Sequence, residues 1–169
     1  MIAPRGTATR PTADRVRQTL FDMLLHAPWG GRAAVECAHV LDMFAGTGAL
    51  GLEALSRGTA RATFIEHDRA AVAALRANIA ACHAGQRCSV LEIDGLTIPP
   101  GEPAALVFLD PPYRQNLVPR ALARLRAVGR LALGALVVAE TARNEPPPVA
   151  STLAERELGA ARISVWRET

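Results

Sequence analysis

Val40-Leu41-Asp42-Met43-Phe44-Ala45-Gly46-Thr47-Gly48-Ala49-Leu50-Gly51 decides the fold class, because an apolar run, spaced glycines and the opening of a helical pattern follow one another directly. Val40 to Phe44 predicts a strand, the glycines a tight turn, and Ala49 to Arg57 a helix. The pattern then recurs. Ala62 to Ile65 predicts a second strand closing on Glu66, and Arg69 to Cys82 a helix with Val72, Leu75 and Ile79 on one face. Ser89 to Ile93 reads as a third strand ending at Asp94, and Ala104 to Leu109 as a fourth ending at Asp110. Leu117 to Val128 predicts a helix, Ala135 to Ala139 a fifth strand, and Leu153 to Leu158 with Arg162 to Trp166 a closing hairpin beyond Pro146, Pro147 and Pro148. Upstream, Thr12 reads as the N-cap of a helix over Ala13 to Leu25, with Val16, Leu20, Met23 and Leu24 at helical spacing; Pro28, Gly30 and Gly31 end it. Strands alternating with helices predict an α/β fold: a mostly parallel twisted sheet, helices on both faces and an antiparallel C-terminal hairpin.

Length and composition narrow the function classes. The 169 residues suit one domain, 1–169, with an arginine-rich segment and helix over 1–30 and an α/β core over 31–169. Half the residues are apolar and 21% charged, which argues against disorder. The uncharged apolar stretch Leu131 to Ala139 is too short to span a bilayer, and Met1 to Arg10 has no secretory-signal core, so a cytoplasmic protein without a membrane partner is expected. Cys37, Cys82 and Cys88 show no metal or disulfide spacing, and no metal is expected. All basic residues are arginine. Arg5, Arg10, Arg15 and Arg17 against Asp14 account for the net charge of +3, and Pro111 to Ala139 carries five more arginines and no acid. Two such patches fit a polyanionic partner. Taken singly, arginines on a helix such as Arg120 and Arg124 usually form a solvated face.

In parallel α/β sheets ligands bind at the carboxyl ends of the strands, near the point where strand order reverses. Asp42, Glu66, Asp94 and Asp110 each fall at or near such an end. Gly46, Gly48 and Gly51 match a dinucleotide fingerprint, with Glu66 placed to accept from two ribose hydroxyls. Asp42 points away from a pyrophosphate, because a carboxylate there repels phosphate and attracts an ammonium such as that of a methionine moiety. Its other reading is a carboxylate that orients the glycine loop. Asp94 is placed to accept from an adenine amine.

Asp110-Pro111-Pro112-Tyr113 completes the set. Proline fixes φ, lacks an N–H and pushes the preceding residue extended. The Asp110 carboxylate and the neighbouring carbonyls are then acceptors without adjacent donors, suited to gripping an NH₂ group from two sides. Tyr113 can lie against a flat ring. An aromatic amine becomes nucleophilic once its hydrogens are drawn aside, so the motif predicts an acceptor NH₂ on a flat group. Taken alone, it also fits a proline-stiffened turn with a packed tyrosine.

The blocks D-M-F-A-G-T-G-A-L-G from Asp42, F-I-E-H-D from Phe64 and F-L-D-P-P-Y from Phe108 resemble the Rossmann-like class I S-adenosyl-L-methionine-dependent methyltransferases. With R-P-T-A-D-R-V-R-Q-T-L-F over Arg10 to Phe21, the chain is similar to the RsmD-type family of bacterial 16S ribosomal RNA guanine-N2 methyltransferases. The resemblance implies a cofactor site of Asp42, Phe44, Gly46, Gly48, Glu66, His67, Asp94 and Gly95. It also implies a catalytic Asp110-Pro111-Pro112-Tyr113, and a monomer acting on ribosomal RNA or the small ribosomal subunit. Arg10, Arg15, Arg17 and Arg114 are the candidate RNA contacts. Family members carry a longer basic segment ahead of the R-P-T block than the nine residues here, a departure that bears on RNA affinity. The strand-end motif also occurs in methyltransferases acting on adenine N6 of DNA or on a protein glutamine, and D-P-P-Y does not separate these acceptors. A nicotinamide oxidoreductase and a non-catalytic RNA-binding module are the remaining alternatives; the first lacks any lysine for a Tyr-Lys pair.

Overall fold

A computed structural model describes the backbone of residues 11–36, 38–113 and 115–169, with side chains from residue 16 onward. Helix α1 (Pro11–His26) leads into strand β1 (His39–Met43), helix α2 (Ala49–Ser56), strand β2 (Arg61–Glu66) and helix α3 (Arg69–Ala81). Strands β3 (Cys88–Glu92) and β4 (Ala104–Leu109), helix α4 (Leu117–Ala127) and strands β5 (Leu131–Ala142), β6 (Ala154–Leu158) and β7 (Ala161–Arg167) follow. The sheet order is β3-β2-β1-β4-β5-β7-β6. Strands β3, β2, β1, β4 and β5 are parallel, and β7 runs antiparallel between β5 and β6.

Successive strand residues point to opposite faces, and both faces of the central strands are covered. One face packs Val40, Phe64, Leu106, Phe108, Val138 and Ile163 against Leu20, Phe21 and Leu24 of α1, Leu52 and Leu55 of α2, and Leu75 and Ile79 of α3. The other packs Leu41, Met43, Ile65, Val107, Leu109 and Val137 against Val118, Ala121, Leu122 and Leu125 of α4. All five residues of β1 are buried. Asp42 therefore reaches the carboxyl edge through an apolar layer.

Two expected boundaries are corrected. Helix α1 already includes Pro11, so Thr12 lies inside the helix and is not its N-cap. Strand β5 begins at Leu131, not Ala135. Gly134, which reads as a breaker, adopts φ 73° inside the strand, where the β4–β5 register shifts between Ala104 and Leu106. The interruption is a bulge that turns Leu133 into solvent, and pairing resumes at Leu136.

Phe108 is fully buried at the centre of the sheet and meets the Phe21 ring at 5.7 Å between centroids, joining α1 to β4. Phe108→Ala is expected to lower unfolding free energy by about 3–5 kcal/mol. Urea denaturation checks this, and a loss below about 1 kcal/mol would contradict the packing described.

Candidate active site

The site begins where β1 ends. Phe44 (φ 62°), Gly46 (φ 54°) and Gly48 (φ 81°) all adopt positive φ, turning the chain sharply into α2. The two glycines serve different needs. A Cβ on Gly48 would stand 2.4 Å from Leu75 Cδ1, whereas one on Gly46 would meet nothing within 4 Å and so would enter the open cleft. The loop is tied on three sides. Gly51 N donates to Asp42 Oδ2 (2.8 Å), Gly46 N to Glu66 Oε2 (2.8 Å), and Asn78 Nδ2 to the Thr47 carbonyl (3.0 Å). Glu66 Oε1 also accepts from His67 N and Asp68 N, each at 2.8 Å, so one carboxylate fixes the loop and the exit of β2 together.

Phe44, Gly46, Glu66, His67, Asp110, Pro111, Pro112 and Tyr113 line a single cleft of about 590 Å³. Asp42 lies beneath the loop at 2% exposure, where its bond to Gly51 performs the orienting role. Gly48 lies there too, packed against Leu75. Gly95 sits beside the cleft against the Phe44 ring, and the exposed Asp94 caps a short 3₁₀ turn by accepting from Leu96 N at 2.9 Å. Neither lines the cleft wall. Arg17 lines a second cavity and pairs with Glu53 at 3.6 Å. Arg10, Arg114 and the side chain of Arg15 lie outside the described residues.

That second cavity, about 400 Å³, lies between α1, α2 and the ends of β4, β5 and β7, and shares Ala49, Asp110 and Tyr113 with the cleft. The Tyr113 hydroxyl donates to Glu140 Oε1 at the end of β5. Asp110 is open to solvent along the rim yet largely walled by protein; desolvation and then the Glu140 charge raise its pKa. Desolvation and the bond to Glu140 likewise push the Tyr113 hydroxyl up, so it stays a donor. Burial pushes Asp42 up to about 8; the Gly51 N–H opposes the shift, while Asp110 and Glu66 add to it.

Asn78 and Glu140 were not among the residues expected here. Asn78 is 2% exposed on the apolar face of α3, and a lone amide at a core position of an amphipathic helix was the available signal. Glu140 directly follows the apolar run Ala135 to Ala139, repeating the strand-end acid of the first four strands.

The cleft fits an adenosine-bearing cation better than a dinucleotide. Among the described residues its wall carries Glu66, Asp68 and Asp110 and no arginine, so a pyrophosphate would meet only negative charge apart from His67. A sulfonium or ammonium is favoured there, and Phe44 and Ala45 supply apolar surface. The strand order, the glycine loop pinned by strand-end carboxylates, and the D-P-P-Y rim define a class I S-adenosyl-L-methionine-dependent methyltransferase. The family model described as Conserved hypothetical protein 95 matches residues 1–167, and the chain belongs to that family. It is 43% identical over 140 residues to ribosomal RNA small subunit methyltransferase D of Escherichia coli K12, covering 82% of this chain and 67% of that protein. The protein of the same name from Haemophilus influenzae is 36% identical over 142 residues, covering 81% of this chain and 70% of that protein. The solved structure of yhhF from Escherichia coli superposes with a TM-score of 0.83 at 38% identity, covering 99% of this chain and 90% of that one.

The raised pKa of Asp42 has a definite sign. Between its ordinary value of 3.8 and about 8 the folded state holds a proton that the unfolded chain releases, so this group's contribution to stability falls as pH rises through that window. Asp42→Asn retains an oxygen for Gly51 and has no charge to desolvate. Relative to the variant, the parent chain is expected to lose up to about 1.4 kcal/mol per pH unit from pH 5 to 8. Urea midpoints across that range check this, and parallel profiles would contradict it.

Proposed function

We propose that the chain methylates the exocyclic N2 amine of a guanine in small-subunit ribosomal RNA, acting as a cytoplasmic monomer. The observation that carries this reading is the junction of the acidic cleft with the second cavity at Asp110 and Tyr113, which provides a donor site and an acceptor site sharing one carboxylate. The relatives named for small-subunit ribosomal RNA methylation supply the substrate class.

S-adenosyl-L-methionine, when bound, supplies a methyl group on a sulfonium, open to in-line displacement. Gly46 would leave room for its close approach, Glu66 would accept from its ribose hydroxyls, and Phe44 would offer it apolar surface. Asp110 and the Pro111 carbonyl accept the two hydrogens of the acceptor amine, turning its lone pair out of conjugation and toward the methyl. As the nitrogen is alkylated it gains positive charge, which Asp110 stabilises more than it stabilises the neutral amine. The alkylated nitrogen loses its proton readily, so positioning and charge carry most of the catalysis. A base inside a duplex cannot enter, and Tyr113 is placed to stack on an unpaired or flipped guanine. Arg10, Arg15, Arg17 and Arg114 contact phosphates.

Incubating the protein with labelled S-adenosyl-L-methionine and separate pools of unmodified small-subunit RNA, small subunits, DNA and protein tests this, with label expected at a guanine N2. Label in DNA or protein alone would retire the ribosomal assignment. Asp110→Ala is expected to abolish turnover while cofactor affinity by calorimetry stays within about threefold, because the cofactor is held mainly from β1 and β2. If about four phosphates are neutralised, log K falls with log salt at a slope of roughly −3 for single-stranded RNA. A flat salt profile would remove the arginines from the interface.

A further inference from the structure

Glu140 takes no part in the chemistry described above, yet it occupies a demanding position. Leu109 pairs with Ala139 across the parallel β4–β5 ladder, so Asp110 leaves the sheet beside Glu140, which stays in β5 opposite Ile163 of β7. Neighbouring strands lie about 4.8 Å apart. Both residues line the second cavity, whose other polar wall is Arg17 on α1 and whose remaining surface is largely apolar, including Leu20, Leu50, Val138 and Ile163. Two adjacent carboxylates at the edge of an apolar cavity repel each other, and a ligand presenting two adjacent donors relieves that repulsion.

We propose that Glu140 is a specificity-determining residue that accepts the N1–H of the acceptor guanine while Asp110 holds its N2 amine. This rests on the guanine assignment above and goes beyond it by giving the base a second reader. Guanine carries N1–H and N2–H₂ side by side on its Watson–Crick edge. Adenine carries N6–H₂ beside an N1 lone pair, which would face the Glu140 carboxylate, and a glutamine amide has no second donor group. Glu140 Oε1 already accepts from the Tyr113 hydroxyl, which fixes the carboxylate beside the stacking ring without filling its acceptor capacity.

The closing experiment separates this inference from the reading beneath it. The methylated guanine is first located in small-subunit RNA with labelled cofactor; no label there with the unaltered protein overturns the parent reading and this inference together. RNA is then ligated with either guanosine or 2,6-diaminopurine riboside at that position and assembled into small subunits. Diaminopurine keeps the 2-amine and replaces N1–H with a lone pair. The unaltered protein is expected to prefer guanine on the order of 100-fold in kcat/KM. Glu140→Gln, whose amide can donate to a lone pair and still accept from Tyr113, is expected to bring the two bases within about tenfold of each other. An unchanged ratio in E140Q, with guanine methylation intact in the unaltered protein, overturns the role of Glu140 and leaves the parent reading standing. Equal loss on both bases with cofactor binding retained also overturns it, because an N1 contact alone leaves diaminopurine a substrate. Tyr113→Phe is expected to retain the base ratio whatever its turnover; a ratio that narrows as in E140Q would assign the discrimination to the tyrosine. Should E140Q not unfold cooperatively, Glu140→Asp withdraws the same charge by one methylene and is expected to narrow the ratio severalfold, an unchanged ratio again overturning the proposal.

Discussion

Strand β1 is hydrogen-bonded on both edges, to β2 on one side and β4 on the other, all in parallel. Parallel neighbours require crossovers, and crossovers of fixed hand leading to opposite sides of one strand must lie on opposite faces of the sheet. Helices α2 and α3 accordingly lie on one face and α4 on the other. The loops leaving β1 and β4 diverge at their carboxyl ends, and nothing in the sheet fills the space between them. The cleft follows from that divergence. It places the glycine loop beside the D-P-P-Y rim although Gly46 and Asp110 are far apart in the chain.

Acidity is the chemical theme of this edge, and it carries a cost. Asp42, Glu66, Asp110 and Glu140 converge where dielectric screening is weak, and the pKa values of Asp42 and Asp110 rise in consequence. The carboxylates that are not paired with cations are instead held by donors: Gly51 N on Asp42, three backbone N–H groups on Glu66, and the Tyr113 hydroxyl on Glu140. Each bond offsets part of the desolvation penalty and fixes an orientation. The result is a cleft whose charge disfavours phosphate and whose described wall carries no arginine. The cleft and the second cavity share one charge distribution, with the Asp110 carboxylate lining both.

Most of the fold was legible because its signals are local. The turn after β1 needs glycines wherever it occurs, the apolar runs of β2 and β4 stand out in any context, and acids directly after those runs mark the functional edge. The failures were equally physical. Gly134 looks like a strand end because glycine interrupts both strands and bulges, and only the pairing of β5 with β4 and β7 tells the two apart. Thr12 looks like a cap because threonine is a common N-cap ahead of a periodic apolar run, and only the backbone shows it inside the helix.

The sequence by itself determined the order of elements, the glycine loop, the strand-end carboxylates and the D-P-P-Y rim, since these depend on residues adjacent in the chain. The tertiary structure alone decided which neighbours each carboxylate meets. Asp42 faces Gly51 beneath the loop, Asp94 caps a turn beside the cleft, and Glu140 stands against Asp110 across a strand interface. A carboxylate's role is set by the donors and charges within a few ångströms of it. For residues this distant in sequence, those neighbours are chosen by strand order and register, which no local pattern encodes.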